Sequence, residues 1–230
     1  MNRIQIPIFE LKNISISYGD KTALKIGNFK FHRGTVYGIT GPMGSGKSIF
    51  LNMLGGRLDP ADGELLYESQ PYKKNWRRKI KVPEEILFVD VTDVYSAGTV
   101  NQFLTSRFQD RSKQVKKQYY SSNNSANEWE TSISSLSGGQ LYRLHLVTAI
   151  ESDPKVLIID DYGVNFDYST LREFNKKLNH TARARGVTVI LSNSRAKDIS
   201  DAVSVLLSLD NGHLAKVRSF KKPGQRSSRR

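Results

Sequence analysis

Apolar and polar residues alternate along IFELKNISISY (8–18) and again along KIGNFKFH (25–32). This two-residue period predicts half-exposed strands, with YGDK (18–21) as the turn between them. VYGIT (36–40) is a short buried strand that runs into a glycine-rich turn, and SIFLNMLGGRL (48–58) then reads as a helix. DPADGE (59–64) is turn chemistry, LLYESQ returns to strand, and EILFVDV (85–91) is another buried strand. The pattern changes over 99–135. TVNQFLTSRF has helical character, but the polar run QDRSKQVKKQYYSSNNSANEWE predicts a helical insert with a flexible segment around Ser121–Asn127. Core periodicity then resumes: helix over 138–151, strand over 155–160, helix over 169–185, strand over 187–192 and a short helix near 196–202. VSVLLSLDNGHLAKV (203–217) closes the series as a hairpin turning on Asn-Gly. Alternating strands and helices predict an α/β fold built on a mainly parallel sheet, without internal repeats.

Composition narrows the class. The 230 residues predict one domain, placed at 1–218, with its helical subdomain at about 99–135. A 38% hydrophobic fraction supplies a core, and the longest apolar runs are too short to span a bilayer. The start MNRIQIPIFE has no continuous apolar stretch, so export is not expected. There is no cysteine for a disulfide or thiolate metal site, and the four histidines are scattered. The net charge of +13 points to an anionic partner. Seven of the basic residues lie between Lys216 and Arg230 without an acid, so 219–230 is expected to be a disordered basic tail open to nucleic acid or anionic lipid. A second basic run, KKNWRRKIK (73–81), carries an aromatic and reads as a charged surface hairpin.

Chemistry enters with GPMGSGKS (41–48), which matches G-x-x-x-x-G-K-[ST] between a strand and a helix. Gly41, Gly44 and Gly46 let the backbone wrap around phosphate oxygens while successive N–H groups and a helix N-terminus point at the anion. Lys47 is placed to neutralise the β and γ phosphates and Ser48 to ligate Mg²⁺. With Pro42, Met43, Ser45 and Ile49, these residues form the candidate nucleotide-binding stretch.

The second motif is LSGGQ (136–140), followed by a helix and then KVLIIDD (155–161). Here the chain resembles the ATP-binding subunit of ABC transporters over almost all of residues 8–217. The resemblance implies a RecA-like P-loop NTPase core, an N-terminal antiparallel β subdomain and a small α-helical subdomain. It implies that Tyr18 stacks on adenine, that Asp160 holds Mg²⁺, and that Asp167 contacts a facing subunit. It also implies a head-to-tail dimer in which Ser137, Gly138, Gly139 and Gln140 meet the ATP held by the partner, and a separate membrane-embedded permease subunit. The corresponding location is peripheral, at the cytoplasmic face of a membrane.

Three positions depart from the family pattern. The glutamate that polarises the attacking water is Asp161, followed by Tyr162 where proline is usual. The switch histidine aligns with Ser194, beside Asn193, and neither side chain titrates near neutrality as histidine does. The Q-loop glutamine aligns with Val91; Gln70 falls too early and Gln102 too late, while Asp90, Thr92 or Asp93 offer an oxygen instead. Asp161, Lys47 and Ser194 are thus the candidate catalytic set, and Ser48 and Asp160 the metal pair. Altered residues around one small volume imply slow hydrolysis at this chain's own site and a heterodimer with a competent second subunit. Two other readings stay open: a non-catalytic, ATP-dependent assembly module, and a nucleic-acid-associated ABC protein.

Overall fold

A computed structural model describes residues 7–89, 98–121 and 125–220. Its chain divides into two compact units, Met1–Phe88 with Pro154–Arg230, and Val89–Asp153. The second unit is wider than the 99–135 insert and takes in the whole helix that follows LSGGQ.

The first unit is organised by one sheet. Its strands are β1 (Pro7–Tyr18), β2 (Lys21–Ile26), β3 (Phe29–His32), β4 (Val36–Thr40), β5 (Asp62–Tyr67), β6 (Gln70–Pro71), β7 (Ile86–Val89), β8 (Val156–Ile159), β9 (Thr188–Ser192), β10 (Val205–Asp210) and β11 (His213–Ser219). They lie in the order β6-β5-β1-β2-β11-β10-β4-β9-β8-β7, with β3 paired to β1. β10, β4, β9 and β8 run parallel, whereas β1 pairs antiparallel with β2, β3 and β5. The expected parallel core and antiparallel N-terminal part are therefore both present.

Local chemistry explains the divisions. Every residue of β4, β8 and β9 is buried, as expected of strands covered on both faces. The run 25–32, expected as one strand, breaks at Gly27-Asn28 into β2 and β3, and both halves pair with β1. Helix α1 (Lys47–Leu54) stops four residues short of the expected end, at Gly55-Gly56. Gly56 has φ +71, and a Cβ at Gly55 would lie 1.9 Å from the Phe88 ring. The final hairpin turns on Asn211 and Gly212, both at positive φ, as an Asn-Gly turn requires. β11 continues through Ser219, so Lys216 and Arg218 are strand residues; 221–230 lies outside the described residues.

The second unit holds α2 (Val100–Phe108), α3 (Ser112–Tyr119) and α4 (Gly138–Glu151). Within 121–127, residues 122–124 lie outside the described residues, while Ser125 is fully buried and Ala126–Glu130 forms a 3₁₀ turn. Trp129 packs its ring 5.5 Å from that of Tyr120. Two carboxylates are also buried here. Glu128 lies 3.5 Å from the Arg143 guanidinium, and burial pushes its carboxyl above the usual range against that attraction. Glu151 accepts from Tyr119 Oη at 2.7 Å and from Arg111 at 3.1 Å. The first unit is completed by α5 (Tyr168–Arg185) and α6 (Ala196–Ile199).

Candidate functional site

Three loops leave the C-terminal ends of parallel strands side by side, following β4, β8 and β9. β9 bonds to both neighbours, with Ile39 opposite Ser192 and Ile159 opposite Leu191. At about 4.8 Å per strand, the ends of β4 and β8 are about 10 Å apart with Ser192 between them. In open α/β sheets this edge is where ligands bind.

The loop after β4 is shaped by missing side chains. A Cβ at Gly41 would come within 2.3 Å of the Leu209 carbonyl and 2.6 Å of Ser45 Oγ. Gly46 caps α1 in the left-handed region at φ +95, with the Ala23 carbonyl 3.0 Å from where its Cβ would stand. α1 carries no acid in its first turn, so the positive end of its dipole is uncompensated within the helix. Lys47, only 8% exposed, turns its ammonium back to donate to Gly41 O at 2.9 Å and Pro42 O at 3.0 Å. Two carbonyls thus hold a charge that burial would otherwise make costly. Ser45 Oγ is buried without a hydrogen-bond partner, Ser48 is exposed in the first turn of α1, and Met43 is almost wholly exposed. A turn pinched at Gly41 and Gly46, its backbone amides, a lysine and an uncompensated helix end suit a polyphosphate.

Asp160 ends β8. Its Oδ1 accepts from Ser192 Oγ and, at 3.1 Å, from the Asp161 N–H, which also reaches Ser192 Oγ at 3.0 Å. Ser192 therefore ties the two aspartates to the end of β9. Nothing in the sequence pattern marks it, because the contact depends on strand register. The carboxylate of Asp160 and the hydroxyl of Ser48 are hard oxygen donors of the kind Mg²⁺ prefers. Asp161 is exposed and sits at φ +46, a region aspartate tolerates better than most residues.

Tyr162 is buried, donating from Oη to Asn175 Oδ1 at 2.9 Å. Its carbonyl accepts from Asn193 Nδ2 at 2.8 Å, and Asn193 Oδ1 accepts from the Arg195 N–H at 2.7 Å. Both ends of the Asn193 amide are thus engaged and the residue is 4% exposed. Asn193 therefore braces the loops, and the next residue, Ser194, is exposed. Val91, Asp90, Thr92 and Asp93 lie outside the described residues. Gln70 pairs with Tyr67 in β6, and Gln102 caps α2 by exchanging hydrogen bonds with Thr99. Tyr18 ends β1 opposite Lys21 and is 59% exposed, as a stacking ring requires.

Ser137 and Gln140 form a capping box at the start of α4. Gln140 Oε1 accepts from the Ser137 N–H at 2.9 Å, and Ser137 Oγ from the Gln140 N–H at 3.3 Å. The S-x-x-Q spacing within LSGGQ is itself a capping-box signature, a second meaning the motif carries in the sequence. Gly138 and Gly139 open the helix, and a Cβ at Gly138 would meet nothing within 4 Å. Asp167 caps α5: its carboxylate accepts from Ser169 Oγ at 2.6 Å and from Thr170 N at 2.8 Å and Oγ1 at 3.0 Å. The Ser169 hydroxyl foremost, then the Thr170 amide, lower its carboxyl to about 2.

Comparison with known proteins identifies the family and the fold. The sequence profile of the family described as "ABC transporter" matches residues 24–162, more than half the chain. The spermidine/putrescine import ATP-binding protein PotA of Haemophilus ducreyi is 28% identical over 216 residues, covering 88% of this chain and 56% of PotA. The zinc import ATP-binding protein ZnuC of Mannheimia succiniciproducens is 30% identical over 193 residues, covering 78% of this chain and 66% of ZnuC. The chain thus spans a little over half to two thirds of the length of these relatives. Among solved structures, cbiO1 of Clostridium perfringens, part of the ABC transporter complex cbiONQ, superposes with a TM-score of 0.76 at 22% identity, covering 94% of this chain and 89% of cbiO1. The dimeric bacterial cassette MJ0796 gives 0.71 at 20% identity, covering 93% and 99%. At these identities the superpositions speak for the fold, and the profile match speaks for descent. No helix among the described residues is long and apolar enough to cross a membrane. The phosphate cradle after β4, LSGGQ at the opening of α4 and the aspartate that follows β8 all lie within the matched residues, and the chain belongs to the ABC transporter family as one of its ATP-binding cassettes.

Proposed function

We propose that this cassette binds ATP with Mg²⁺ and closes head to tail with a second ABC subunit, coupling nucleotide binding to a membrane-embedded permease at the cytoplasmic face. The observation that supports it best is Lys47, a buried ammonium held by Gly41 O and Pro42 O at a loop whose Gly41 has no room for a Cβ. Exchanging those carbonyls for phosphate oxygens replaces two neutral acceptors with charged ones, which are roughly twice as strong. Tyr18 offers its ring to adenine. Ser48 and Asp160 would hold Mg²⁺, which when bound neutralises charge between the β and γ phosphates. Ser137 to Gln140 would serve the nucleotide on the facing subunit.

Hydrolysis at this chain's own loop is proposed to be slow. Asp161 carries its carboxylate one methylene short of glutamate, and a displacement of about 1 Å can cost on the order of 100-fold in rate. Ser194 offers a hydroxyl where a titrating imidazole would stand. This pairing of intact binding groups with altered water-orienting groups favours a heterodimer whose second member supplies the other residues. The fully non-catalytic assembly module differs only in turnover. Calorimetry tests the reading: ATP·Mg²⁺ binds the wild type, and Lys47→Ala weakens binding about 10- to 100-fold, as expected for losing a charged hydrogen-bonding partner. Equal binding by the two proteins, or rapid ATP turnover by the isolated chain, would count against it.

A further inference from the structure

Residues 73–81 form a short hairpin whose tip is built to hold one aromatic ring among cations. Its arms close through Lys81 N donating to Lys73 O at 2.7 Å and Asn75 N to Lys79 O at 2.8 Å. Its base is fixed to the body of the first unit. Tyr72 is buried and donates to Leu54 O, Ile80 packs against the main core, and Lys74 pairs with Asp59. The tip is fixed as well. Asn75 Oδ1 accepts from the Arg77 and Lys79 amides at 2.9 and 3.0 Å, Arg78 N reaches Asn75 O at 2.9 Å, and Arg78 holds φ +59. On this frame Trp76 stands 84% exposed, with the Arg77 guanidinium 4.4 Å from its ring centroid. Lys73, Lys74, Arg77, Arg78, Lys79 and Lys81 belong to the same nine-residue segment, which contains no acid of its own.

Burying this indole inside its own fold would not require six neighbouring cations, and a merely soluble hairpin would not require an indole. We propose that this hairpin is a contact point for an anionic phospholipid surface, with Trp76 entering the headgroup zone and the segment's lysines and arginines lying over the lipid phosphates. Indole, with an apolar body and one N–H, favours that zone. Each Lys or Arg close to an anionic leaflet adds about 1 kcal/mol. The fixed loop keeps the ordering cost of docking small. Single-stranded nucleic acid is the less suitable occupant, because such sites stack successive bases on several aromatic rings and this tip offers one. The inference stands on the hairpin alone and is independent of nucleotide binding.

Flotation of the full chain with phosphatidylcholine vesicles, with and without about a third phosphatidylserine, tests it while Trp emission is recorded. The wild type should bind the anionic vesicles with a blue shift in emission. Trp129 is 4% exposed and contributes a constant background. Trp76→Phe should bind but lose the shift. Trp76→Ala should bind more weakly. Arg77→Ala with Arg78→Ala and Lys79→Ala should lower the partition coefficient on the order of 100-fold, the loss expected for three such charges. All variants keep residues 216–230, so basic residues there act equally in each. Equal partitioning of wild type and triple variant would overturn the proposal, and so would binding without a Trp76-dependent shift. A shift produced by an oligonucleotide but not by anionic vesicles would overturn it in favour of nucleic acid. A circular dichroism spectrum and thermal melt like the wild type's confirm that each variant is folded.

Discussion

Asp161 combines two constraints that pull in different directions. Its φ of +46 suits aspartate, while water activation in this family is expected to need the longer glutamate. Asp161→Glu should therefore raise ATP turnover of the proposed site about 10- to 100-fold, since about 1 Å of reach is restored. It should also lower stability by about 1 kcal/mol, because the left-handed backbone suits glutamate less well. Steady-state ATPase assays and a denaturant melt measure the two effects separately; unchanged turnover would mean that Asp161 does not orient water. Asp167 makes a prediction about pH. Its folded carboxyl titrates at about 2, below the ordinary 3.8, so the cap stabilises the protein above pH 4 and that contribution fades as pH falls through 2. Asp167→Ala should cost about 1 kcal/mol at neutral pH and flatten the acid limb of the stability profile in that window. Ser192 and Asn193 show what a linear sequence hides at this scale. Their bonds to Asp160, Asp161 and Tyr162 arise from strand register, and nothing in local spacing distinguishes a bracing asparagine from one that faces a ligand.

At the scale of elements, the legible parts are those whose pattern and termination agree. β4 and α4 begin and end where expected because a fully apolar run meets a glycine turn in one case and a capping box opens the helix in the other. α1 is shorter than its apolar pattern suggests, since what stops it is a tertiary contact. The Phe88 ring occupies the space over Gly55, and the Arg57 guanidinium lies 3.7 Å from the same ring. Gly55→Ala would force a methyl into that ring and should destabilise the first unit by about 1–3 kcal/mol, read from a chemical melt. A neutral substitution there would show that Phe88 moves aside freely. The polar stretch 109–130 reads in sequence as a helical insert with a flexible segment around Ser121–Asn127; the burial of its described residues is hidden because it rests on a few aromatics, Tyr119, Tyr120 and Trp129, and on charged pairs that hydropathy counts as exposed.

Across the whole molecule, fold class is legible from alternation of strands and helices, but strand order is not. Periodicity cannot place β11 between β2 and β10, nor set β9 between β4 and β8, yet the second arrangement brings the phosphate cradle, Asp160 and Ser194 to one edge. The site is thus half visible as motifs and half created by topology. The opening of α4, in the second unit, is described by absence. Ser137 Oγ and Gln140 Oε1 each accept the other residue's N–H, and there is open space over Gly138. That openness separates folding from assembly. Gly138→Ala adds a methyl that touches no atom of its own subunit, so the melting temperature should hold while ATP-driven pairing, followed by size-exclusion chromatography, weakens. One extra carbon would then act as a wedge felt solely by the neighbour, revealing whether a neighbour comes that close.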